Sequence, residues 1–452
     1  MPSLPSSPTE TFHGRFTDQQ AARLLWRAGF GPRPGDPQRL AALGLDGAVA
    51  SLTRPAGAAQ LIGPEPHSAP GQPLDPVDVW GDDHCWWLDR MVRSTHQLVE
   101  RMTLIWHSWF ATSIDGATQG LMLNQNHMMR ARWLGNFHDL LVQVTRDPAM
   151  LLWLSGNANS KYSPNENYGR EVMELFTLGA QRGYSQRDVH NQARALTGFT
   201  NTWNQGSGPT NFRFDPELHD DGVKVIFGHR GRFDYLDTCR LCVHHPLHPS
   251  FMIPKLWGYF IAEPIPDATL RALERAYVGS GFETRPLVEA ILRHPLFYEG
   301  DRMVIPPAVY CAGLLRAQRR TVQTNAWAWI GAQTGQRLFE PPNVAGWDYT
   351  HWLDTSRWSG RFTAVNYALQ KTAIDPETKH YPQRESAPQA VARALAFWDN
   401  PTISESTHRS LLSFSRSSQR LIKADWEQVP YRVMRQNALR ALIPTTPDWQ
   451  TC

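Results

Sequence analysis

The chain of 452 residues carries little net charge of either sign. Its 45 Lys and Arg against 42 Asp and Glu leave a formal charge of +3. That balance supplies neither the basic stripe that nucleic acid requires nor an acidic tail, so no nucleic-acid partner is expected. Long apolar runs are also missing. No stretch of about 20 apolar residues suggests a membrane span. The amino terminus MPSLPSSPTETFHGRF has no apolar segment of the kind a signal peptide needs, which points to the cytoplasm. Cysteine is scarce, at five (85, 239, 242, 311 and 452), an odd count without disulfide-framework spacing that fits a reducing compartment. Several catalytic signatures are absent: G-x-S-x-G, the P-loop, G-x-G-x-x-G and H-E-x-x-H. A serine hydrolase, an NTPase and a nicotinamide dehydrogenase are therefore unsupported.

Hydrophobic residues make up 41% and charged residues 19%, a globular balance. Residues 1–16 read as a flexible Pro/Ser-rich leader, 17–375 as a main helical domain, and 376–452 as a C-terminal helical extension packed on it. Helical periodicity runs through most of the chain, including one long helix from Asp82 to Ala111 that carries His107. Residues 54–79 read as a loop. Residues 199–234 change character, with Gly, Asn and Thr alternating with Phe212, Phe214, Val225 and Phe227, and read as an irregular β-hairpin or lid-like insertion. The expected fold class is mainly α, a large multi-helix domain with that small β insertion.

The most informative stretch is Pro164–Phe199, PNENYGREVMELFTLGAQRGYSQRDVHNQARALTGF. Asn165 suits an N-cap, Gly179 and Gly183 suit a helix end, and Ser185 with Asp188 suits the start of a second helix. At 100° per residue Tyr168, Val172, Leu175 and Phe176 share an apolar arc, and Glu171, Glu174 and Asn167 a neighbouring one. Leu178 projects between the two glutamates, so these carboxylates need partners or shifted pKa values.

NENYGREVMELFTLG, with GYSQRDV and ARALTGF, resembles the core motif of the bacterial domain-of-unknown-function 1800 family. Four further segments match in order: LLWRAGFG, WHSWF, HDDG…K…FGHRG and PPNVAGW. The resemblance spans roughly residues 18 to 370. It implies a helical domain without an established reaction, and export for many members. Relatives often carry His where this chain has Phe176, which removes a ligand role at that position.

Four constellations carry candidate chemistry. Glu171 and Glu174, with Asn167 and Arg170, stand three and four residues apart, the spacing by which helices present carboxylates to a metal or substrate. His107 from another helix would complete a set suited to a hard or borderline divalent ion. Alternatively the pair splits into a protonated acid and an ionised base, or Arg170 and Arg194 pair with it as a fold-fixing network. Cys239-x-x-Cys242 with His244, His245 and His248 invites zinc, but Leu236, Cys239, Cys242 and Val243 also form an apolar stripe. His219, Asp220, Asp221 and Lys224 lie in the irregular insertion, as base and binding groups or as turn formers. Trp347, Tyr349, His351 and Trp352 suit stacking on sugar or peptide, or plugging the core.

The expectation is an enzyme with Glu171, Glu174, His107, Arg170 and Arg194 as catalytic groups. Asn167, His219, Asp220 and Trp347 would bind substrate, and a divalent metal is the candidate cofactor, on Glu171, Glu174 and His107. The reaction would be hydrolysis or group transfer on a polar, glycan-like or peptide-like small molecule or polymer. The rival is a binding or assembly protein in which the Glu/Arg motif is a structural ion-pair network.

Overall fold

A computed structural model describes residues 6–206, 208–370 and 385–452. The expected boundary at 375/376 lies outside the described residues. Among them the chain forms 22 α-helices and three two-stranded antiparallel sheets, a mainly α fold with small β insertions. No helix among the described residues is long and apolar enough to cross a membrane.

The helix Gln97–Trp109 lies at the centre. All its residues are buried, the charged Glu100 among them, paired with Arg130 at 2.8 Å. Leu98, Met102, Ile105, Trp106 and Trp109 enter one hydrophobic core, together with Tyr168, Val172, Phe176, Cys239 and Cys242. Leu104 enters a second, which draws on Phe30, Trp87, Trp347 and the C-terminal residues Val391, Trp398, Leu439 and Trp449. Residues up to 370 and residues from 385 onward therefore share one core.

The single long helix expected over 82–111 is two helices, Asp82–Arg93 and Gln97–Trp109. The Gln97 carboxamide donates to the carbonyls of Met91 and Ser94 at 3.2 and 2.7 Å, closing the first helix from the start of the second. Apolar spacing from Val92 to Leu98 passes through the break undisturbed, and no Gly or Pro marks it. The 199–234 insertion holds two hairpins, Phe199–Asn204 with Gly208–Phe214 and Lys224–Ile226 with His229–Gly231. A third, small hairpin at His67–Ala69 and Gln72–Pro73 interrupts the loop expected over 54–79.

Candidate functional site

The Glu motif does not continue as a plain α-helix. Asn165 caps the helix Glu166–Glu171, its side chain accepting from the N–H groups of Asn167 and Tyr168. The chain then widens into a π-turn, Val172–Thr177, where Leu178 N–H donates to Met173 O at 2.8 Å. The Thr177 hydroxyl reaches back five residues to Val172 O at 2.6 Å, and Gly179 at φ +91° ends the run. π-turns of this kind occur frequently at functional sites. Gly169 allows the second helix of the motif, Gln186–Ala195, to cross closely, since a Cβ there would stand 2.9 Å from Ala193 N.

A π-turn strands carbonyls that a helix end cannot satisfy by itself. Here three consecutive ones are taken by side chains from elsewhere. Lys255 Nζ donates to Leu175 O at 3.0 Å, Trp109 Nε1 to Phe176 O at 3.1 Å, and His248 Nδ1 to Thr177 O at 2.9 Å. Because a carbonyl only accepts, His248 carries its proton on Nδ1, and its Nε2 accepts from the Tyr277 hydroxyl at 3.2 Å. The Lys255 ammonium lies 4.1 Å from the Trp109 ring centroid, and burial lowers its pKa to about 7. WHSWF and the stretch that follows the CxxC thus hold the Glu motif in its wide turn.

The two glutamates have unequal surroundings. Glu174 Oε1 lies 3.4 Å from Arg170 Nη1, and Tyr184 bonds to the same carboxylate. Arg170 Nη2 donates onward to Gln186 Oε1 at 2.9 Å, Gln186 to Glu166 at 2.6 Å, and Glu166 meets His190 Nδ1 at 3.0 Å. The Glu171 carboxyl, half-buried, has no hydrogen bond or ion pair among the described residues. Burial and then the neighbouring Glu174 carboxylate raise its pKa, with Arg170 pulling the other way. Asn167 is exposed beside the pair.

The other expected participants are elsewhere. His107 does not join the glutamates. It is buried in an aromatic cage, 5.3, 5.7 and 5.5 Å from the rings of Trp87, Phe339 and Trp347, and burial lowers its pKa to about 3. No group of three or more His, Cys, Asp or Glu among the described residues could hold a metal ion, so Glu171, Glu174 and His107 do not form the expected metal site. Arg194 pairs not with the glutamates but with Asp220, its Nε and Nη2 at 2.7 and 3.2 Å from the two carboxylate oxygens. Burial alone would raise the Asp220 carboxyl; Arg194 and the Gly222 N–H outweigh it and hold it low. Lys224 Nζ donates to the carbonyls of Asp220 and Gly222, and His219 Nδ1 bonds to Thr197 O at 2.9 Å. His219 and Asp220 therefore fix the turn onto the Gln186–Ala195 helix and do not line the carboxylate pair.

Trp347, expected to stack on substrate, is 4% exposed and plugs the core against His107. Its loop is seated by Gly346 at φ +90°, where a Cβ would stand 2.7 Å from Ser108 O, and by the Tyr349 hydroxyl, 2.9 Å from Ser108 Oγ. Cys239 and Cys242 are buried free thiols whose pKa values burial raises, that of Cys239 to about 12. Sequence reasoning missed Lys255, Tyr184 and the π-turn. The one local signal for the turn is the Thr177 hydroxyl set five residues after Val172.

Residues 23–451 match the family described as "Protein of unknown function (DUF1800)". The match continues past residue 370 through the C-terminal segment, which carries none of the five motifs. No curated protein and no solved structure matches the chain.

Proposed function

The chain belongs to that family of unknown function, and we propose that it is an enzyme whose Glu171/Glu174 pair performs acid–base hydrolysis or group transfer. The observation that carries this reading is the asymmetry of the pair. Glu171 is half-buried, unpartnered and raised in pKa, while Glu174 is tied to Arg170 and Tyr184. Neighbouring carboxylates held in different environments divide into acid and base.

In this mechanism Glu171 enters protonated and gives its proton to the leaving-group oxygen or nitrogen as the scissile bond breaks. Water or an acceptor hydroxyl attacks the electrophilic carbon and loses its proton to the Glu174 carboxylate. Arg170, bridging Glu174 and Gln186, keeps that base aimed. The substrate is a polar glycan-like or peptide-like molecule. Asn167 is an exposed carboxamide beside the pair, and Tyr162, on the loop before the helix, is an exposed ring able to stack on a sugar or peptide.

The test is a panel of nitrophenyl glycosides and peptide nitroanilides, assayed with wild type and Glu171→Gln. Deleting a general acid should cost about 10²- to 10⁴-fold, and an unchanged rate in the variant would sink the assignment. The rival structural reading rests on the string Glu174–Arg170–Gln186–Glu166–His190. It requires that loss of Glu171 destabilise the fold.

A further inference from the structure

We propose that the cleft between the first helix, Asp18–Arg27, and the C-terminal segment binds a neutral, hydroxyl-rich ring of monosaccharide size. The cleft encloses about 260 Å³. That is just under the roughly 300 to 1,000 Å³ of sites that take drug-sized ligands, which suits one ring and not a polymer. Three indoles form its apolar side: Trp26 and Trp449 meet edge to face at 6.2 Å, and Trp398 and Trp449 at 5.1 Å. Aromatic faces of this kind accept the C–H face of a sugar as readily as another ring.

The polar side selects against charge. Its side chains carry three carboxylates, Asp18, Asp399 and Asp448, and three guanidinium groups, Arg23, Arg33 and Arg302. The signs therefore cancel. The cations are also engaged: Arg302 with Asp448 at 3.0 Å, Arg33 with Val92 O at 2.7 Å, and Arg23 with the carbonyls of Tyr298 and Gly300 at 2.7 and 2.6 Å. Each guanidinium thus already serves a protein acceptor with at least one of its N–H groups. Beside the exposed Asp18 carboxylate, several neutral groups remain free. The side-chain amides of Gln19, Gln38 and Asn400 have no partner among the described residues. The Trp449 indole N–H is a buried donor without an acceptor, on a residue 7% exposed. A buried orphan donor of this type is costly unless something fills the site. Carboxamides, a carboxylate and an indole N–H around an aromatic wall match the alternating donors and acceptors of vicinal hydroxyls.

Trp26 belongs to LLWRAGFG, a motif that the carboxylate site does not use. None of Glu171, Glu174 and Arg170 lines the cleft, so the proposal stands or falls separately from the acid–base reading.

The test is saturation-transfer NMR and calorimetry on the full chain with D-glucose, D-galactose and N-acetyl-D-glucosamine, and with glucose 6-phosphate as the charged comparator. Two variants probe the site, with melting temperature read alongside binding. Trp449→Phe deletes the N–H and keeps a smaller aromatic ring in the core. Asn400→Gly deletes an exposed carboxamide at φ 52°, where glycine is at ease. The expected result is binding of at least one neutral sugar, weakened tenfold or more in at least one variant with unchanged melting. Binding of no neutral sugar, binding of glucose 6-phosphate alone, or wild-type affinity in both variants would overturn the proposal.

Discussion

Glu171 and Glu174 show how little spacing says about a carboxylate until its neighbours are known. The sequence places both on one arc and demands partners for both. Only Glu174 receives them, because Arg170 lies four residues back on the same face and Tyr184 folds over from the following loop. Glu171 falls at the junction of α-helix and π-turn and faces neither. The consequence for pH is definite. If Glu171 must be protonated, turnover falls as pH rises through its raised pKa. Glu174→Gln removes the neighbouring negative charge that helps to raise it, so this limb of the pH–rate profile should move to lower pH. An unmoved limb would show that the titrating group is not Glu171. The fold should tolerate that change with a loss of about 1 kcal/mol or less by chemical melting, since the Arg170–Glu174 pair is partly solvated and Arg170 keeps Gln186.

At the scale of elements, the π-turn and its three donors are the organising unit. Lys255, Trp109 and His248 come from distant positions and meet on carbonyls of consecutive residues. Trp109→Phe keeps most of the ring but leaves Phe176 O buried without a donor, which should cost about 1–3 kcal/mol in urea melts. Lys255→Met should act on the same unit. The double variant should then depart from the sum of the singles, because neighbouring carbonyls share one backbone; strict additivity would argue that the three donors act independently. Little of this was legible in advance. Asn165, Gly179, Ser185 and Asp188 gave the ends of both helices correctly. The wide turn was not foreseen because a 100° wheel assumes α geometry throughout. It accordingly placed Leu175 on the apolar arc, whereas Met173 and Thr177 are buried and Leu175 is half-exposed. The break after Arg93 was hidden for a related reason, since a side-chain cap from Gln97 leaves apolar spacing intact.

For the whole molecule, the mainly α fold and the 199–234 insertion were readable because periodicity and turn residues are local. The convergence of motifs was not, because it depends on which distant segments pack together. WHSWF turns out to be the hub: Trp109 holds the Glu motif, Ser108 seats the PPNVAGW loop, and His107 meets Trp347. LLWRAGFG contributes Arg27, whose guanidinium donates to the carbonyls of Phe260, Phe297, Asp301 and Cys452.

Burial of histidine gives this molecule an acid limit. Burial lowers His107 to about 3 and His248 to about 4, against about 6.5 in the unfolded chain. Between those values the unfolded state binds protons that the folded state refuses, so this stability is complete above pH 6.5 and is lost as pH falls toward 4. His107→Phe should flatten the decline in urea midpoint over that range, and an unchanged slope would place the acid sensitivity in other groups.

The claim that Glu171 serves chemistry and not the fold is tested most directly by the melting temperature of Glu171→Gln at pH 7. A carboxyl whose folded pKa is raised contributes stability below its unfolded pKa and loses it as pH rises through the folded value, so at pH 7 the charge is a burden. The account predicts that Glu171→Gln melts at the wild-type temperature or above it. A loss of about 3–5 kcal/mol, the usual result of stranding one member of a buried ion pair, would contradict it and establish Glu171 as part of the structural network.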